Sequence, residues 1–329
     1  MVDVTAGLNS FSFETGCTDE EKESLHLRAR ALTLAVSGCA QAVFLCKVVQ
    51  SLRDSMTSKD ERDLCVGILG MGNLGRQLLR SLIEKSCISP SNIKISSRRP
   101  ESAVEPIQFG IECFFNNSRL AAWTDILFLC CLPSHLPKVC ADLRSHLSKH
   151  CLVFSFTSAV PVKRLAHLLG HDFILKPHYD FVTDGPGDGC SQLTTALNDS
   201  LLIEASRPLT MRGGPSLGLN WVCAVLYSLL NICTSANLGS SDAICLINII
   251  LRENGAHNVE LNVQNLISAS YASSLLPKEP FPWISLTDAQ TKDTPLQCFL
   301  SSNKSMQQSI SALFQPLLQN SKTLLTNEN

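Results

Sequence analysis

The chain alternates short apolar runs with longer stretches in which apolar residues recur every three or four positions. Residues 64–69, Leu-Cys-Val-Gly-Ile-Leu, form an unbroken apolar run. Such a run fits a strand covered on both faces. Gly70, Gly72 and Gly75 follow in the order Gly-x-Gly-x-x-Gly, and Leu74, Leu78, Leu79, Leu82 and Ile83 then fall at helical spacing. Further strands are expected at 92–96, 111–115, 126–132, 151–156 and 173–175. Helices or turns separate them at 118–124, 138–147 and 162–169. Strands that alternate with helices in this way call for a parallel, doubly wound sheet.

Two helical regions flank this pattern. Thr18 followed by Asp19, Glu20 and Glu21 reads as a helix start, a capping hydroxyl ahead of acids in the first turn. The helix should reach Met56, with Gly38 as the point where a break is expected. Beyond Leu219 the spacing is helical over 219–232, 242–251, 259–275 and 306–318, interrupted at Pro277, Pro280, Pro282 and Pro295. The expected fold class is α/β: a Rossmann-type doubly wound parallel sheet with an N-terminal helical arm and a mainly helical C-terminal domain. Its parts are a disordered tail (1–17), the arm (18–60), the dinucleotide-binding sheet (61–180), turn-rich linkers (181–218) and the helical domain (219–329).

A length of 329 residues fits about two domains. The net charge of −2 gives no overall field for nucleic acid or an anionic membrane, so neither is expected as a partner. Residues 31–46 carry no charge, but 16 residues fall short of the roughly 20 a membrane span needs, and a helix packed on the protein is the better reading. The 15 cysteines are scattered without a Cys-x-x-Cys pair, and the 8 histidines show no ligand spacing, so no metal is expected. Many cysteines sit in apolar runs, where free cysteine acts as a small hydrophobe. A reducing, cytoplasmic setting follows.

The glycine turn carries the chemistry. Gly70 would allow the tight turn, Gly72 would leave room for a pyrophosphate, and Gly75 would let the helix pack closely. Met71, Asn73 and Leu74 complete the loop, and the helix behind it offers free N–H groups to phosphate. About 20 residues further on, where a NAD-specific site places an acid, stand Ser97, Arg98 and Arg99. Arginine forks onto phosphate oxygens, so this turn selects a 2′-phosphate and hence NADP(H). Lys176 and His178, after the last strand, are weak candidates for binding a substrate carboxylate and donating a proton. The simpler and preferred reading is that both are exposed loop residues after a strand.

These residues resemble the pyrroline-5-carboxylate reductases. The stretch 65–75 with Asn73 between the last two glycines is similar to that family's opening, and Ile95 to Arg98 to its phosphate-reading turn. Asn117, eight residues before Asp125, is similar to its cofactor-contacting Asn, and Asp125 to Leu129 with Leu132-Pro133 to its central strand and following turn. The resemblance spans 64–177, roughly a third of the chain. It implies an NADP(H) cofactor, a dimerising helical C-terminal domain giving a homodimer, and hydride transfer to a C=N or C=O bond of a small substrate. Asn117, Leu132 and Pro133 enter the cofactor site by this resemblance. Leu132 stands where the family has Lys, Lys176-Pro177-His178 where it has Met-Pro-Asn, and nothing from Gly189 to Asn329 matches its substrate loop. The alternative is a catalytically inactive NADP-binding sensor or scaffold that acts through partners.

Overall fold

A computed structural model describes residues 19–56, 63–102, 104–181, 215–253 and 260–319. The expected tail with its Thr18 cap, most of the linker at 57–63 and the turn-rich segments of 182–214 lie outside them. The first helix, α1, covers Asp19–Met56 without a break at Gly38. Then come β1 (Val66–Leu69), α2 (Asn73–Lys85), β2 (Ile93–Ser96), α3 (Val104–Gln108), β3 (Glu112–Phe114) and α4 (Asn117–Trp123). They are followed by β4 (Ile126–Leu129), α5 (Leu136–Leu143), β5 (Leu152–Ser155), α6 (Val162–Leu169) and β6 (Ile174–Leu175). The six strands form one sheet in the order β3-β2-β1-β4-β5-β6. Every pairing is parallel, with Val66 opposite both Ile93 and Ile126. This is the doubly wound order, and its reversal between β1 and β4 opens a crevice at the strands' carboxyl ends.

β1, β4 and β5 are buried at every position, as the apolar runs required. Side chains alternate across the sheet. Leu127, Leu129 and Val153 pack with Leu120, Leu143, Leu165 and Leu169 of α4, α5 and α6. Phe128 and Phe154, at the intervening positions, meet edge to face at 5.6 Å. The strands stop earlier than the apolar runs suggest. β4 ends at Leu129 because Cys130 and Cys131 already belong to the turn into Pro133–His135. Asn116 closes β3 by capping α4, its side chain accepting from the Arg119 N–H at 2.8 Å. α3 was not anticipated, being a five-residue helix in the crossover from β2 to β3.

The chain divides into two compact units. One holds Gly38–His178 with Leu217–Leu317, so the sheet and most of the C-terminal helices share it. The other holds Met1–Ser37, Tyr179–Ser216 and Leu318–Asn329. Strands β7 (Tyr179–Phe181) and β8 (Pro215–Leu217) pair with each other. Within the larger unit α1 is a core helix: Val43, Leu45, Cys46, Val49 and Leu52 are buried. The stretch Leu34–Met56 is long and apolar enough to cross a membrane, yet 72% of it is buried inside the protein. Two of its polar side chains are matched to protein partners. The fully buried Gln41 donates to the His178 carbonyl at 2.9 Å and accepts from its N–H at 3.3 Å. Arg53 donates to Asp125 Oδ2 at 2.9 Å, and the same oxygen accepts from the Cys65 N–H at 2.9 Å. Asp125 thus ties α1 to the start of β1. Asp125→Ala should cost about 1–3 kcal/mol in urea unfolding, because both donors lose their acceptor. An unchanged midpoint would show that the tie contributes nothing.

The C-terminal region comprises α7 (Leu219–Ser235), α8 (Ser240–Glu253), α9 (Val263–Leu266), α10 (Ala269–Ala272), α11 (Leu286–Ala289), α12 (Pro295–Ser302) and α13 (Lys304–Gln319). α7 is buried from Trp221 to Asn231 within this chain, so its apolar character is that of a core helix. The single helix expected over 259–275 is instead α9 and α10. Asn262 and Asn265 cap α9 reciprocally, and Ile267 is extended at φ −132°, ψ 168°, which ends it. Pro295 does not interrupt a helix but begins α12, behind a Thr294 cap. At that position the missing proline N–H has no intrahelical partner to lose.

Candidate functional site

The glycine turn sits at the carboxyl end of β1, in the middle of the sheet. Gly70 adopts φ +102°, a conformation that glycine alone enters freely. Its N–H donates to the Ser96 carbonyl at 2.9 Å, which fixes the turn to the end of β2. Gly75, in the first turn of α2, lies against that same turn. A Cβ there would stand 2.0 Å from the Gly70 carbonyl oxygen. The close packing foreseen for Gly75 is therefore with the backbone of Gly70. Gly72 is different: it is the exposed N-cap of α2, and a Cβ added to it meets nothing within 4 Å. No side chain caps this helix, and no acid occupies its first turn. The N–H groups of Asn73, Leu74 and Gly75 have no intrahelical acceptor and face the positive end of the helix dipole. Met71 is half-buried beside them.

β2 brings the second group into place. The Ser97 N–H donates to the Phe114 carbonyl at 2.9 Å, holding the turn to β3. Arg98 and Arg99 are exposed, and among the described residues neither side chain makes an ion pair or hydrogen bond. Asn117 is engaged below them. Its Oδ1 accepts from the buried Ser96 hydroxyl at 2.8 Å, and its Nδ2 donates to Asp142 Oδ2 at 2.9 Å. Asn117 therefore links β2 to α5 and keeps one N–H and one lone pair for other partners.

Leu132 and Pro133 follow β4, and Leu132 is 63% exposed. The backbone of Cys130 and Cys131 abuts Gly70, so this turn and the glycine turn adjoin. Burial pushes the Cys131 thiol up to about 11 and raises Cys130 as well. Neither is a thiolate near neutral pH. Among the described residues, no cluster of three or more His, Cys, Asp or Glu side chains is placed to hold a metal.

Lys176 and His178 do lie past the end of β6, but the Lys176 ammonium and the His178 backbone serve the fold. The Lys176 ammonium donates to the Ser158 carbonyl at 3.2 Å and to the Val160 carbonyl, and the Lys176 backbone N–H donates to Gln290 Oε1 at 2.9 Å. Burial lowers its pKa below the ordinary lysine value. The His178 backbone is bound on both sides by Gln41. Sequence reasoning missed two residues here. Phe115, 61% exposed at the carboxyl end of β3, reads in the sequence as one more strand position. Asp142, which orients Asn117, reads as a polar point on a helix; only the tertiary contact reveals it.

This arrangement defines a dinucleotide-binding α/β protein, with an uncapped helix N-terminus at the switch point of a parallel sheet. Residues 65–159, which contain it, match the family described as NADP oxidoreductase, coenzyme F420-dependent. The chain is 36% identical over 335 residues to mouse NADP-dependent oxidoreductase domain-containing protein 1, spanning 93% of this chain and 91% of that protein. It belongs to the family of that protein. Escherichia coli pyrroline-5-carboxylate reductase is 33% identical over 108 residues, 32% of this chain and 40% of that enzyme. The reductase resemblance read from the sheet is thus borne out over about that length. Among solved structures, the Coxiella burnetii pyrroline-5-carboxylate reductase aligns over 79% of this chain and 97% of its own at 17% identity and a TM-score of 0.31.

Proposed function

We propose that this protein binds NADPH across the carboxyl edge of its sheet and is an oxidoreductase that passes the hydride to a C=N or C=O bond of a small substrate. The observation that carries the reading is the open N-terminus of α2, where Gly72 leaves empty space in front of uncommitted N–H groups. These groups would hold the diphosphate. Ser97, Arg98 and Arg99 would hold the 2′-phosphate; the two arginine side chains are otherwise uncommitted among the described residues, and the Ser97 hydroxyl accepts from the Arg99 N–H at 3.5 Å. Asn117 would offer its remaining N–H to the ribose. Leu132 and Pro133 would cover the nicotinamide side and exclude water. The cofactor supplies the hydride itself. The thirteen free cysteines among the described residues support a reducing, cytoplasmic setting. We also retain a homodimer through C-terminal helices. With α7 consumed by the core, it would use exposed groups such as Ile249, Tyr271 and Leu276.

A second reading is favoured by one observation. The Lys176 ammonium is tied to the Ser158 and Val160 carbonyls, so the lysine expected to meet a substrate carboxylate is engaged by the fold. A cofactor-binding sensor or scaffold without turnover fits that fact. Both readings require NADPH binding, and only the enzyme consumes NADPH when substrate is added.

Calorimetric titration with NADPH and NADH tests the shared part. NADPH should bind and NADH should bind far more weakly. Arg98→Ala should weaken NADPH by about 1.5–3 kcal/mol, the range for a hydrogen bond to a charged group, and leave NADH almost unchanged. Equal losses for both cofactors would remove the 2′-phosphate assignment.

A further inference from the structure

The opposite edge of the sheet carries a second site. A cavity of about 650 Å³ opens there, lined by Lys149, His150, His167, His171, Asp172 and Trp283 among others. Lys149 and His150 precede β5, His171 and Asp172 precede β6, and His167 lies in the last turn of α6. The cavity therefore faces the amino ends of β5 and β6. Ligands of parallel sheets gather at the carboxyl ends, so the cofactor reading does not account for it.

Its chemistry is specific. Trp283 is braced from behind by Phe173, ring centre to ring centre at 5.1 Å, and His150 meets it edge-on at 6.4 Å. The indole is 38% exposed and presents a fixed aromatic wall. His150 Nδ1 is hydrogen-bonded to the Ser235 hydroxyl of α7 at 2.9 Å, which fixes its ring and leaves Nε2 uncommitted. His171 is spent on structure. Its Nε2 donates to the Cys151 carbonyl at 2.7 Å, and burial keeps its pKa below the ordinary histidine value. Arg144, the C-cap of α5, packs against the Gly170 turn, its Nε 2.8 Å from where a Gly170 Cβ would be. The charged and titratable groups lining the space are Lys149, His150, His167 and His171 against the one carboxylate of Asp172. Basic groups that converge beside a braced indole select a ligand with negative charge and a flat ring.

We propose that this cavity is a binding site for a small aromatic anion, an aryl phosphate or aryl carboxylate, separate from the dinucleotide crevice. The ring lies against Trp283, and the anionic group meets Lys149, His150 and His167.

Phenyl phosphate is the probe, titrated calorimetrically against the full chain at about pH 7, with inorganic phosphate and phenol as controls. Phenyl phosphate should bind saturably and more tightly than either control. His167→Gln and Lys149→Met, both at exposed positions, should each weaken it about tenfold, since the loss of one charge-assisted hydrogen bond is about 1.5 kcal/mol. Trp283→Phe should lower the preference for phenyl phosphate over inorganic phosphate. NADPH affinity should be unchanged in all three. Absence of saturable binding, or binding indifferent to His167→Gln and Lys149→Met, would overturn the proposal. Because the two sites share no residue, failure here leaves the cofactor reading intact, and failure of NADPH binding leaves this one.

Discussion

Gly72→Val is expected to abolish dinucleotide binding while the protein stays folded. The two halves of that expectation have separate causes. Gly72 adopts φ −77°, ψ −169°, an extended conformation that a β-branched residue accepts. A Cβ at this position meets no atom within 4 Å, so the apo-protein accommodates valine without rearrangement. The same empty space is where a diphosphate must lie to reach the N–H groups of Asn73, Leu74 and Gly75. Filling it should weaken NADPH and NADH alike by about a hundredfold or more, equivalent to roughly 2.7 kcal/mol. Thermal unfolding gives both readings at once. Without ligand, the variant and the parent should unfold at similar temperatures. With NADPH at about 100 times the parent's dissociation constant, the parent should gain about 2.7 kcal/mol of stability and the variant no more than about 0.4 kcal/mol. A variant stabilised by NADPH as much as the parent would show that the diphosphate lies elsewhere.

Gly75→Ala should give the opposite result. The added methyl stands 2.0 Å from the Gly70 carbonyl oxygen, a distance no side chain tolerates. Neither partner can yield easily. Gly70 is fixed by its bond to Ser96 and by its left-handed φ, and Cys130 closes its other side. α2 must therefore move away from the sheet, where Leu78, Leu79 and Leu82 are fully buried. Alanine favours helices over glycine by about 1 kcal/mol, but overpacking typically costs about 1–3 kcal/mol and a backbone contact this short lies at the upper end. The net expectation is a loss of stability before any ligand is added, measured as a lower urea midpoint. Cofactor binding should weaken as well, because the N–H groups move with the helix. An unchanged midpoint would show that α2 does not depend on this contact. The two glycines are alike in the sequence, and the pair of variants separates space kept for a ligand from space needed for packing.

The sheet was largely legible from the residues. The run Val66 to Leu69, the glycine spacing and the period of Leu74 to Leu82 each identify an element by local rules, and they agree with one another. The Ser97, Arg98 and Arg99 turn was legible for the same reason, since its place follows from strand length and a parallel crossover. Element ends were less so. Apolar character continues through Cys130 to Leu132, but pairing stops at Leu129, and hydropathy does not record where a hydrogen-bond ladder ends. The region 259–275 shows the same limit: its apolar spacing suits a long helix, and the asparagine pair that caps α9 breaks it.

By itself the sequence determined the strand–turn–helix at Gly70, the parallel sheet behind it and the basic turn at Arg98, because each depends on contacts between near neighbours or on a regular period. Only the tertiary structure decided that α1 is part of the core, tied by Gln41 to His178 and by Arg53 to Asp125. It also committed the Lys176 ammonium to carbonyls of the Ser158 to Val160 turn. Likewise it joined Asn117 to Asp142, and it gathered His150, His167 and Trp283 around one cavity. These partners are separated by 16 to 137 positions. Hydropathy and spacing report whether a side chain is buried and on which face. They do not report which distant group satisfies it, and that choice settles whether a lysine or an asparagine is free to act on a ligand or is spent on the fold.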